Sequence, residues 1–173
     1  GYTVTDDAGR SASATAFVTV TGVNDAPSAA ADAGEELATD QDTPFTTLDV
    51  LVNDSDVDDD PLTVAGVDSS ETLGTVTSNG DGTFQYDPGD RFDALVSGET
   101  ATDTFGYLVS DGNGGTATAT VTVLVTGLDD PPTVSGDRQG SLPAGAQGGT
   151  TGVLTIDDPD QDQAAFQAEE GIT

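Results

Sequence analysis

The chain repeats itself, and the period of that repeat limits what it can fold into. Residues 1–27, GYTVTDDAGRSASATAFVTVTGVNDAP, overlay residues 106–132, GYLVSDGNGGTATATVTVLVTGLDDPP, without a gap, an offset of 105 residues. About half of the positions are identical, among them Tyr2/Tyr107, Asp6/Asp111, Val20/Val125, Gly22/Gly127, Asp25/Asp130 and Pro27/Pro132. A spacing of this size is that of one sandwich domain. A second echo links VLVNDSDVD (Val50 to Asp58) with LTIDDPDQD (Leu154 to Asp162). The sequence therefore reads as the end of one unit (1–26), a complete unit (27–131) and the head of a third (132–173).

The local pattern within the units is that of strands. Ala117, Ala119, Val121, Val123 and Val125 alternate with Thr116, Thr118, Thr120 and Thr122, the period of two expected of a half-buried strand. Ser11–Thr21 repeats the alternation, which predicts a strand over its whole length. Phe105, Tyr107 and Val109 alternate on the strand before, and DGNGG at 111–115 turns the hairpin. Further strands are predicted at Phe84/Tyr86, Leu62/Val64, Leu48/Val50 and Val76, and in the segment after Pro27. That makes about seven strands per unit, an all-β architecture of tandem Greek-key sandwiches of immunoglobulin type. Val153–Ile156 reads as a strand of the third unit, and AAFQAEEGIT as the start of the next strand; no helix is predicted. Tyr2 and Tyr107 are expected to fill core or corner positions.

Composition then excludes several chemistries. Asp and Glu number 32 against 3 Lys and Arg, a formal net charge of -29, and the chain has no His, Cys, Met or Trp. Histidine acid–base chemistry, a thiolate nucleophile and a thiolate or imidazole metal site are all excluded. A surface this acidic repels phosphate backbones and anionic lipid, so neither nucleic acid nor membrane insertion is expected. The chain has no apolar run of ~20 residues and does not open on a basic-then-apolar leader, so any targeting segment is expected outside this window. Paired carboxylates could serve a glycosidase, but no aromatic platform or pocket-forming insertion accompanies them, and no enzyme is expected. Asp outnumbers Glu, which stands only at 35, 36, 71, 99, 169 and 170. Short carboxylates in turns suit hard-cation coordination and Asx-turns better than helices.

Strand direction sorts these carboxylates onto poles. Successive strands of the sandwich alternate in direction, so the loop 53–60 and the turn 111–115 meet beside the incoming linker. That pole collects Asn24, Asp25, Asn53, Asp54, Asp56, Asp58, Asp59, Asp60 and Asp111. The opposite pole receives Asp40, Asp42, Glu99 and Asp103, together with Asp129 and Asp130 of the outgoing linker and Asp157, Asp158, Asp160 and Asp162 of the next unit. Like charges converging this way oppose folding unless a cation intervenes. Ca²⁺ takes six to eight oxygens in irregular geometry, whereas Mg²⁺ demands a strict octahedron and keeps its waters. Calcium is the expected cofactor.

The competing readings are a solvated turn or a halophilic surface for the loop 53–60 and plain Asx-turns for Asp40 and Asp42. Asp81 in Asn-Gly-Asp-Gly reads as a hairpin turn. An EF-hand does not fit, since Asp59 stands where the loop starting at Asp54 needs Gly and Ala65 where it needs Glu.

The ordered set NDSDVDDDPLTV, GDGTFQYDP and DTFGYLVSDGNGGTATATVTV resembles the cadherin-like and VCBS-type repeats of large bacterial RTX adhesins, and GVLTIDDPDQDQAAF resembles the VCBS variant. The linkers VNDAP (Val23–Pro27) and LDDPP (Leu128–Pro132) are similar to the Asn-Asp-x-Pro linker of cadherins. The resemblance implies secreted or cell-surface spacer domains, stiffened by Ca²⁺ at each junction with neighbouring repeats of the same chain, which hold a distal binding domain away from the cell. A filament or surface-layer subunit, and a carbohydrate- or partner-binding sandwich of a halophilic surface protein, are the alternatives. One departure is the lack of a Leu-Asp-Arg-Glu motif before residue 104; only Glu99 and Asp103 lie near that place.

Overall fold

The structure, a computed structural model, describes residues 1–136 and 153–160. Its strands in chain order are β1 (Tyr2–Thr5), β2 (Ser11–Ala14), β3 (Ala38–Asp40), β4 (Phe45–Thr46), β5 (Thr63–Asp68), β6 (Thr75–Ser78), β7 (Phe84–Asp87), β8 (Thr100–Ser110), β9 (Thr116–Thr126), β10 (Thr133–Gly136) and β11 (Leu154–Asp157). Short 3₁₀ turns lie at Glu35–Leu37, Val50–Asn53 and Gly89–Arg91. A four-stranded sheet, β3-β9-β8-β5, faces a three-stranded sheet, β4-β7-β6, and together they make the sandwich. β3 runs parallel to β9, while the other pairs are antiparallel. β1–β2 and β10–β11 are separate two-stranded hairpins on either side of it. Among the described residues no helix is long and apolar enough to cross a membrane.

Residue alternation places the core between the two sheets. Phe105, Tyr107 and Val109 of β8 and Val121, Val123 and Val125 of β9 point inward, against Phe84 and Tyr86 of β7, with Leu37, Val50 and Phe92 closing the edges. Phe84 meets Phe105 edge-on at 5.1 Å between ring centroids, and Phe45 meets Tyr86 at 5.9 Å. Such offset contacts suit the ring quadrupoles. The Tyr107 hydroxyl sits among four acceptors, the nearest being Asp32 Oδ2 at 2.9 Å, with Ala30 O, Val50 O and Asp54 Oδ2 further off. One buried hydroxyl thus ties the segment after Pro27 to the loop 50–54. Burial first, then the Asp32 carboxylate, pushes its pKa well up.

The 105-residue repeat emerges as an identical hairpin register. Tyr2 pairs with Ala14 as Tyr107 pairs with Ala119, and Thr5 with Ser11 as Ser110 with Thr116. β9, however, is paired along all eleven residues of β8, whereas β2 stops at Ala14. The strand predicted over Ser11–Thr21 therefore forms only in its first four residues. In the second hairpin, Thr120–Thr126 are paired with Thr100–Gly106. Tyr2 is exposed (59%), where a core or corner position was expected, while Tyr107 is buried.

The strand predicted at Leu48/Val50 is also displaced. The ladder runs through Phe45–Thr46, and Val50 opens a 3₁₀ turn. The Asp49 carboxylate accepts the Leu51 N–H at 3.0 Å and caps that turn, which buries Val50 and leaves Leu48 exposed. The stretch AAFQAEEGIT and Asp162 lie outside the described residues.

Candidate metal centre

The incoming linker is held by side chains from the two loops that meet it. Ser28 pairs with Ser55 through both backbone bonds, and the Ala30 N–H donates to Asp54 Oδ1 at 2.8 Å. The Asp25 N–H donates to Asp58 Oδ2 at 2.8 Å, and the Asn24 side-chain amide donates to Asp111 Oδ2 at 2.8 Å. Asp111, itself buried, uses Oδ1 and Oδ2 to accept the Gly115 N–H and Oδ1 to accept the Asn113 N–H, so it shapes the turn and grips the linker at once. The Asn24 amide, followed by those turn amides, holds its pKa below the usual carboxylate value.

Within this frame Asp56, Asp58 and Asp60 stand at alternate positions of one loop. Each offers an oxygen within 4.8 Å of the others. The Asp58 N–H donates to Asp56 Oδ1, and the backbone turns through a left-handed Asp59 (φ 59°), which re-aims Asp60. Asp60 Oδ2 accepts the side-chain amide of Asn113 at 2.8 Å. Asp56 Oδ2 is buried and accepts no hydrogen bond. A buried, donorless carboxylate oxygen is costly, and two unit charges 5 Å apart repel by about 3 kcal/mol at an effective dielectric of 20. The donor set is all oxygen, as a hard divalent cation prefers.

The outgoing linker is gripped in the same way. The Asp130 N–H donates to Asp160 Oδ2 at 2.8 Å, and the Asp160 N–H to Asp158 Oδ1 at 3.1 Å. These bonds copy Asp25–Asp58 and Asp58–Asp56. Asp160 is wholly buried, and its Oδ1 accepts no hydrogen bond. The bonding corrects the sequence echo by two residues: Asp158 and Asp160 take the parts of Asp56 and Asp58, where the overlay had set Asp158 on Asp54. The pairing Thr133↔Asp157 against Ser28↔Ser55 gives the same shift.

A residue the sequence reading missed, Gln41, ties this second linker to the sandwich. Wholly buried, it donates from Nε2 to Asp130 Oδ2 at 2.7 Å and accepts the Leu128 N–H at Oε1. Its only signal was a neutral amide in the acid-rich turn TDQDTP. Asp93 was missed as well. Burial, then the negative charges of Asp90, Asp130 and Asp42, raises its pKa, which puts it in the field of this pole.

Other sequence candidates have different surroundings. Asp40 Oδ1 accepts the Asp42 N–H in an Asx-turn, with Asp42 exposed; Asp129 is exposed too. The Glu99 carboxylate accepts the Val96 N–H. Asp103 is not brought to the pole. It lies inside the sandwich on the inward parity of β8, accepting the N–H groups of Leu73, Gly74 and Thr104 and the hydroxyl of Tyr86. With those donors in place its oxygens serve the fold, which corrects its assignment as a ligand.

A seven-stranded sandwich with an acidic, all-oxygen seam at each linker defines the class of repeat module to which the central unit belongs. The family model of the bacterial cadherin-like domain matches residues 24–127, and the chain belongs to that family. No curated protein matches the chain.

Proposed function

We propose that this chain is a run of spacer repeats from a large secreted or cell-surface bacterial adhesin of the RTX class, stiffened by calcium at the seams between repeats. In this reading β1–β2 is the end of a preceding cadherin-like unit (1–26), residues 27–131 are one complete unit, and residues 132–173 begin a VCBS-like unit. The observation that carries it is the buried, donorless Asp56 Oδ2 inside the Asp56/Asp58/Asp60 cluster, with a second buried, donorless carboxylate oxygen, Asp160 Oδ1, at the other linker. Asp56, Asp58 and Asp60 would hold the ion at the first seam and Asp158 and Asp160 at the second. Asp25 and Asp130, whose N–H groups are already bound to those loops, would be drawn in with it. The cation would supply the positive charge that the carboxylates lack, and so fix each linker against its unit. The module is structural and non-catalytic, its partners are neighbouring repeats, and the reading extends to adhesion and biofilm formation through a distal domain.

Calorimetry with and without chelator tests this. Calcium at 100 times its dissociation constant should add about 2.7 kcal/mol to stability, a rise in melting temperature of several degrees, and NaCl should not reproduce it at matched ionic strength. A melting temperature indifferent to calcium, or one rescued equally by NaCl, would overturn the reading and favour a halophilic surface.

A further inference from the structure

The two hairpins share one register but close their turns differently. In the turn after β8, Gly115 has no positive φ, so its conformation would admit any residue. Space does not. A Cβ at 115 would collide with Asp111 Oδ2 and lie 2.8 Å from the Cα of Ala26, a backbone atom of the incoming linker. The counterpart of Gly115 in the first hairpin is Arg10, and the counterpart of Asp111 is Asp6. The Asp6 turn is otherwise built alike: Oδ1 accepts the N–H of Ala8 and Arg10, and the Asp6 N–H donates to Arg10 O as the Asp111 N–H donates to Gly115 O. The difference lies at Oδ2. Asp111 Oδ2 accepts the linker amide of Asn24, whereas Asp6 Oδ2 accepts Arg10 Nε at 2.7 Å.

We propose that Gly115 is the seat of the incoming linker, and that an arginine in its place, paired to the turn aspartate as Arg10 is to Asp6, would unseat that linker. Three effects act together. An arginine side chain at 115 would fill the space in which Ala26 lies, its guanidinium would take the carboxylate oxygen that Asn24 uses, and its positive charge would discourage a second cation beside it. The divalent-cation part rests on the function proposed above; the seating part does not.

The experiment transfers the arginine. In the full chain, Gly115→Arg should speed amide hydrogen exchange at Asp25 and Ser28 by about tenfold or more in chelator, while the amides of β9 exchange as before. Calcium affinity should fall by about tenfold. Gly115→Ala, which adds the Cβ without the charge, should free the same two amides and so keeps the test open if the arginine variant does not fold. Unchanged exchange at Asp25 and Ser28 in a folded variant overturns the proposal, even if calcium affinity falls. Faster exchange at those amides upholds the seating role, even if the wild-type chain binds no calcium.

Discussion

Asp103 and Asp56 are both carboxylates that the sandwich draws out of water, and they differ in what meets their oxygens. Between the sheets, Asp103 is enclosed by three backbone N–H groups and the Tyr86 hydroxyl. At the seam, Asp56 receives the Asp58 N–H on one oxygen, has nothing on the other, and faces two further aspartates. A carboxylate surrounded by donors is a structural anion that needs no counter-ion. One with a bare buried oxygen among like charges asks for a cation. The donors around each acid therefore separate candidate ligands from structural acids where the acid count alone does not. Asp111 falls on the structural side and Asp160 on the seam side.

The largest expected effect breaks the interior. Asp103→Ala removes the acceptor of buried donors and should cost about 3 kcal/mol or more, equally in chelator and in calcium, by urea denaturation. A loss seen only with calcium would return Asp103 to the metal site. Next comes the seam. Asp56→Ala with Asp58→Ala should abolish the calcium-dependent gain of about 2.7 kcal/mol. In chelator the double variant should be at least as stable as wild type in the same titration, because like charges have been removed. A variant that keeps the calcium-dependent gain would place the ion elsewhere.

The smallest effect is pH dependence in chelator. Burial, then the charges of Asp54 and Asp49, raises the pKa of Asp32, and burial with Asp90, Asp130 and Asp42 raises that of Asp93. The native state then takes up protons before the unfolded chain as pH falls. Their contribution therefore grows through those raised values and is complete below the ordinary carboxylate value of 3.8. The pKa of Asp111 is lowered, so its stabilisation is present above 3.8 and is lost as pH falls through its own value. Thermal melting against pH should pass through a maximum in the mildly acidic range. A monotonic fall from pH 7 would contradict these directions.

The sequence made some of this visible for definite reasons. The strict alternation of Thr116–Thr126 carries through to the burial of β9, and the 105-residue overlay carries through to a common hairpin register. Strand direction alone brought the loop 53–60, the turn 111–115 and the first linker together. What failed were choices governed by single side chains. The Asp49 cap turned Leu48/Val50 out of the ladder, a local bond that competes with strand pairing. Asp103 shares the odd parity of Phe105, Tyr107 and Val109, so its inward direction could have been read, but its acidity grouped it with the pole. Gln41 carries no charge, so the pattern of acids along the sequence does not mark it. The two-residue slip in the second echo arose because both loops alternate Asp with other residues, and overlays two residues apart score alike.

The central claim is that a cation sits where the acid loops grip the linkers. A crystal of the chain grown in millimolar calcium, with anomalous differences measured at long wavelength, tests it most directly. The expected result is an ion among Asp56, Asp58 and Asp60, with a second beside Asp160 Oδ1. Water molecules alone at both places, with the carboxylates splayed apart, would contradict it.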